Sequence, residues 1–189
     1  MRYIMLLALM MLPATLWAGS MKLDGTASDI NFVSVKKESV AEVHHFTALS
    51  GSIEGKAGFL LIDLASIESG IDIRNERMRS MLFEVARFSS ASIKADLSAI
   101  AYDNLKAGER ISATLPLALN LHGVRQTLAA EVDVVKLGDE RLLVASRQPV
   151  IVKAGDFEME GGIEALRQVA NLPGIARVVP VNFHLIFTR

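Results

Sequence analysis

Apolar and polar residues alternate along most of the chain beyond its first twenty positions. The pattern is cleanest in Leu115-Pro116-Leu117-Ala118-Leu119-Asn120-Leu121-His122, where Leu takes every second place. It returns near the end, where Val179, Val181, Phe183, Leu185 and Phe187 alternate with Pro180, Asn182 and His184. A period of two puts all the apolar side chains on one face of a strand. Looser runs of the same kind cover Ile30 to Lys36, Val40 to Thr47, Gly58 to Leu64, Ser90 to Ala101, Arg110 to Leu121, Thr127 to Leu137, Arg141 to Lys153 and Val178 to Phe187. They predict about eight strands. The segments Lys36-Lys37-Glu38-Ser39, Leu105-Lys106-Ala107-Gly108, His122-Gly123 and Leu137-Gly138-Asp139 between them are polar or carry glycine, as turns do. Connections this short favour antiparallel neighbours.

Two segments break the period. Met78, Met81, Leu82 and Val85 fall at helical spacing within Asn75 to Phe88, with Asn75 placed to cap them. Ile163, Leu166, Val169 and Ala170 repeat that spacing after Gly161-Gly162, and Asn171-Leu172-Pro173-Gly174 ends it. The fold class is therefore all-β, an antiparallel sheet of about eight strands with one or two short α-helices. Such a sheet buries its apolar faces as a sandwich or by closing into a barrel. A barrel of this size is filled by side chains or holds one small ligand, as lipocalins do.

A membrane barrel with its apolar face outward gives the same alternation, but composition argues against it. Membrane barrels carry aromatic girdles, whereas Trp17 and Tyr3 lie in the first twenty residues and Tyr102 is the one tyrosine beyond them. Those twenty residues have their own signature. Arg2 precedes an apolar run from Ile4 to Leu12, and Ala18-Gly19-Ser20 supplies small residues, which predicts a signal peptide cleaved after Ala18 or Ser20. Residues 21–189 are then one domain, in keeping with the size of the chain. The run is too short to span a bilayer and no second one follows. The expected location is periplasmic or secreted, in a bacterium.

The chain has no cysteine, so a lipoprotein anchor and disulfides are both chemically excluded, and burial must supply the stability. Twenty basic residues stand against twenty-one acidic ones, a net charge of −1. Loss of Arg2 leaves nineteen against twenty-one, or −2. That balance gives no footprint for nucleic acid.

Several stretches resemble the YceI-like family. "ASIESGIDIRNERM" from Ala65 to Met78, followed by "LFEVARF", is similar to its strand-then-helix signature, in which a Ser-Ile-x-x-Gly turn leads to an Arg-Asn or Arg-Asp pair. "INFVSVKK" resembles its opening strand, "FTALSG" its hairpin, "LALNLHGVRQTL" its Leu-x-Leu-x-Gly-Val motif, and "GGIEALRQVANLPGIARVVPVNFHLIF" the tail of some exported members. Ser89 departs from the pattern, since many members have proline there. The likeness runs from about Ser28 to Arg189. It implies an extended, lipocalin-like antiparallel barrel whose pore holds a long isoprenoid, a quinone or a similar amphiphilic lipid, with no cofactor.

On that reading the pore is lined by Phe46, Leu60, Ile62, Leu64, Met78, Met81, Phe83, Leu115, Leu117, Leu119, Leu121 and Phe183, and short residues such as Gly58, Ala118 and Ala129 on the pore face leave room inside. The head group is expected to meet His45, Arg74 or Arg77, with Arg79 beside them. The alternative for the arginines is a solvated helix face, and for the methionines plain packing. His44 and His45, adjacent on a strand, point to opposite faces and cannot share one metal ion. His122 belongs to a turn and His184 to a polar strand face. There is no Gly-x-Ser-x-Gly elbow, Ser50-Gly51-Ser52 reads as a turn, and Gly161-Gly162 lacks the Lys that a phosphate loop needs. The expectation is a binding protein and not an enzyme. The alternatives are an envelope interaction protein with a side-chain-filled barrel, or a lipid-modifying enzyme. An unpaired edge strand would favour a homodimer.

Overall fold

The alternating segments lie side by side in one antiparallel sheet that closes on itself. The structure is a computed structural model and describes residues 20–189; the expected signal peptide lies outside the described residues. Strand β1 is Met21–Leu23, β2 Asp29–Lys36, β3 Val40–Phe46, β4 Leu49–Glu54, β5 Ala57–Asp63 and β6 Ile67–Glu68. Helix α1, Asp72–Arg77, runs into a π-helical turn at Met78–Leu82. Then come β7 Ser90–Asp96, β8 Arg110–Leu121, β9 Val124–Gly138, β10 Arg141–Ser146 and β11 Val150–Lys153, followed by helix α2, Glu160–Val169, and β12 Val178–Thr188.

These segments form eight staves. β1 and β2 are two halves of one bent strand, as are β3 with β4, β5 with β6, and β10 with β11. β12 closes the barrel by pairing with β10 through Leu142↔Phe187 and with β2 through Phe183↔Ile30. Hydrogen bonds hold the bends at β1–β2 and β3–β4. The Asp24 carboxylate accepts from the amides of Thr26 and Ala27, and the Ser28 hydroxyl donates to the Asp24 carbonyl while accepting from the Ile186 amide. At the β3–β4 bend the Thr47 amide donates to the Ser66 carbonyl, and the Ala48 amide to the Ser66 hydroxyl.

Leu49–Glu54 is therefore a strand and not the turn that Ser50-Gly51-Ser52 suggests. It pairs with β5 on one side and β1 on the other, and this pairing overrides its weak local preference. Gly51 is needed there, because a Cβ would stand 2.4 Å from the Phe59 carbonyl oxygen. The predicted strand Ser90 to Ala101 stops at Asp96, whose carboxylate accepts from the Ser98 amide and starts a turn. The long run Arg141 to Lys153 is split into β10 and β11.

Helix α1 starts three residues before the expected cap. Gly70, at φ +75, turns the chain into the helix early. Asn75 is then buried inside the helix, where its side chain hydrogen-bonds to Glu68 and Ser69. The α1 segment and α2 cover one end of the barrel, next to the β2–β3 and β8–β9 hairpins. At the other end Leu97, Ile100 and Tyr102 fold inward, and the Tyr102 hydroxyl donates to the Gly55 carbonyl at 2.6 Å.

Candidate ligand-binding pore

One face of every stave looks into the barrel, because side chains alternate between the two faces of a strand, and around the barrel's cavity that face is apolar. It encloses a cavity of about 230 Å³ that runs from Tyr102, Ile100 and Leu97 at one end to Leu82, Phe83 and Ile163 under the helical cap. The wall has no polar surface. Even Tyr102 presents only its ring, since its hydroxyl is bound to Gly55.

Leu60, Ile62 and Leu64 line this cavity, as do Leu115, Leu117, Leu119 and Leu121 of β8, and Phe46, Phe83 and Phe183. Other wall residues lie on faces whose alternation is visible in the sequence, outside the expected lining. They include Ile30 and Phe32 of β2, Val132 and Val134 of β9, and Val179, Val181, Leu185 and Phe187 of β12. The two methionines expected in the lining stand outside it. Met78 is buried in the core behind the wall, Met81 is partly exposed, and neither borders the cavity. Gly58 does border it, but Ala129 is exposed on the outer face and Ala118 lies in a shallow outer groove with Asn120 and Arg125. Ala91 and Ala95 of β7 supply the room instead.

The polar residues gather on β2, β3 and α1. The inward face of β2 continues from Phe32 to Ser34 and Lys36, and that of β3 runs back from Phe46 to His44 and Glu42. The Ser34 hydroxyl and His44 Nε2 are 2.8 Å apart. Glu42 bridges Lys36 Nζ at 2.8 Å and Arg74 Nη1 at 2.7 Å, so the hydrogen bond from Lys36, followed by that from Arg74, holds its carboxyl below the usual range. Arg74 is also tied to Ser69, through Nε at 2.8 Å and through Nη2 to the carbonyl. Burial, followed by the charge of Arg74, pushes the His44 imidazole below its ordinary pKa of 6.5.

The pleat thus corrects the choice between the two histidines. His44 faces inward, 2 % exposed with its ring 5.1 Å from that of Phe32, while His45, expected at the head group, shares the outer face with Val43. Arg74 reaches the polar group, and Arg77 ends α1 partly exposed. The Nε of Arg79 is buried without a partner among the described residues. His122 packs on Phe88, with ring centroids 4.3 Å apart, and its Nε2 is 3.8 Å from Glu84; His184 is exposed. His45, His122 and His184 are not brought together, and among the described residues no three His, Asp or Glu form a metal-binding group.

The comparisons with known proteins match this geometry. The family model described as YceI-like domain matches residues 21–187. A solved polyisoprenoid binding domain from Saccharophagus degradans, implicated in plant cell wall breakdown, is 41% identical, with a TM-score of 0.86 over 89% of this chain and 97% of that one. BcnA of Burkholderia cenocepacia shares the fold at 17% identity and TM-score 0.65, over 87% of this chain and 98% of its own. The Campylobacter jejuni YceI protein does so at 16% identity and TM-score 0.55, over 77% and 84%. No curated relative matches the chain.

Proposed function

The chain belongs to the YceI-like family, and from that membership and the form of its pore we propose that it is an exported, non-catalytic carrier or store for a long-chain isoprenoid, quinone or similar amphiphilic lipid. The observation that carries this reading is a cavity, wholly apolar along its wall, that runs through the barrel from Leu97, Ile100 and Tyr102 to Leu82, Phe83 and Ile163. An empty cavity of that kind forfeits the dispersion contacts of its lining, and a hydrocarbon chain restores them. Each buried CH₂ contributes about 0.8 kcal/mol, so one isoprene unit supplies roughly 3 to 4 kcal/mol before ordering costs. The polyisoprenoid-binding relative from Saccharophagus degradans supports the same chemistry.

The cavity is smaller than the roughly 300–1,000 Å³ usual for small-molecule sites. A ligand of many units would therefore need the helical cap to shift, or would extend through it. Export rests on the leader-like residues before Met21. Because β1 begins at Met21, processing after Ala18 or Ser20 would leave every strand intact. Among the described residues no helix is long and apolar enough to cross a membrane.

Native mass spectrometry of the protein purified from a bacterial envelope, with extraction and identification of what it carries, tests the reading. A stoichiometric isoprenoid or quinone is expected. A mass that stays ligand-free after incubation with such lipids would favour an interaction protein. Turnover of the bound lipid would favour an enzyme.

A further inference from the structure

The polar group beside the pore holds one side chain that the fold encloses and leaves half-used. His44 lies directly across from Phe32 on the inward face of β3, packed against that ring and one side chain outside the cavity wall. Phe32 and Phe46 both line the cavity, and the ring centroids of Phe32, Phe46 and Phe83 follow one another at 5.8 Å and 5.8 Å. His44 Nε2 is taken by Ser34, but Nδ1 is buried with no hydrogen-bond partner among the described residues. A buried polar atom left unpaired costs stability. Ligand sites that are otherwise apolar use a few such groups to fix the ligand's orientation.

The neighbours decide which head group fits. The two cations of the cluster, Arg74 and Lys36, are both paired with Glu42, and the remaining Arg74 nitrogens are bound to Ser69. A phosphate would have to strip these cations from Glu42 and then face its carboxylate. Burial also disfavours a positive charge on the imidazole. The Ser34 hydroxyl either donates to Nε2, leaving Nδ1–H as a donor, or accepts from Nε2–H, leaving Nδ1 as an acceptor. A hydroxyl on the ligand satisfies Nδ1 in both cases, whereas a carbonyl satisfies it in only one.

We infer that His44 is the head-group anchor just beyond the capped end of the pore, reached past the Phe32 ring by a ligand longer than the cavity, with Nδ1 hydrogen-bonded to the hydroxyl of a neutral long-chain alcohol and Ser34 holding the ring in place. The inference rests on the lipid pore proposed above, and its test separates the two. Delipidated protein is titrated with three probes of one skeleton: the alcohol phytol, the hydrocarbon phytane and phytyl diphosphate. Phytol should bind about tenfold more tightly than phytane, the ratio that one well-placed hydrogen bond supplies, and the diphosphate no more tightly than phytol. In His44→Phe the phytol-to-phytane ratio should fall to about one. In the wild type, phytol but not phytane should move the ¹⁵N resonance of His44 Nδ1, a readout that stands even if the variant fails to fold.

Equal binding of phytol and phytane, a preference that survives His44→Phe, or an unmoved Nδ1 resonance overturns the anchor and leaves the pore standing. A diphosphate that binds more tightly than phytol overturns the neutral head group. Failure of all three probes to bind overturns the pore and the anchor together.

Discussion

At the scale of single residues, two neighbouring histidines behave as opposites because one pleat separates them. His44 is enclosed and held below its ordinary pKa of 6.5 by burial, so the unfolded chain binds its proton more readily than the folded one. Stability from this site is therefore complete above about pH 6.5 and is lost as pH falls from there toward the depressed folded value, at no more than about 1.4 kcal/mol per pH unit. Glu42 acts at lower pH. Its folded pKa lies below the ordinary 4.5, so its contribution is present above that value and lost as pH falls through the depressed one. Urea midpoints measured against pH should show both declines in the wild type. In His44→Phe the upper decline should vanish while the lower one remains; an upper decline that survives would assign it to another group.

At the scale of elements, adjacent glycines in α2 predict opposite outcomes. A Cβ on Gly162 would lie 2.5 Å from the Met81 carbonyl oxygen and 2.9 Å from Leu82 Cα, both in the π-helical turn, whereas one on Gly161 meets nothing within 4 Å. Gly162→Ala should thus push α2 off the cap and cost about 1–3 kcal/mol. Gly161→Ala should stabilise by up to about 1 kcal/mol through helix propensity. Thermal unfolding of the pair checks this, and equal shifts would show that the two helical segments do not pack as described. The same cap shows where sequence stops being legible. The faces of β8 and β12 are readable because their alternation is strict and local. The π-helical turn lies against α2 and Leu49–Glu54 against β1, partners distant in sequence, while Asn75 is held by Glu68 and Ser69 across the Gly70 turn, so no apolar period encodes them. The polar cluster was legible only as parity: the sequence shows that His44 and Glu42 share a face, and register with Phe32 and Ser34 shows which face is inside.

At the scale of the whole molecule, closure is what turns alternating strands into a container. Because β12 pairs with both β10 and β2, every strand among the described residues has a partner, and the sheet offers no wholly unpaired strand for dimerisation. Closure also converts a strand's two faces into inside and outside, and this makes the container testable by one large side chain. Leu119 borders the cavity two residues before the end of β8, and Thr114, on the opposite face of the same strand, is exposed. Leu119→Trp places an indole in the lumen. Its overpacking cost of about 1–3 kcal/mol is one that a folded barrel of this size can bear, while a chain lipid loses its path. Lipid binding should drop at least about tenfold, equivalent to 1.4 kcal/mol, with the circular dichroism spectrum kept. Thr114→Trp adds the same bulk to the outer surface and should bind as the wild type does. If Leu119→Trp folds and still binds lipid fully, the ligand does not occupy the lumen, and the outer groove between β4, β5, β7 and β8 becomes the place to look.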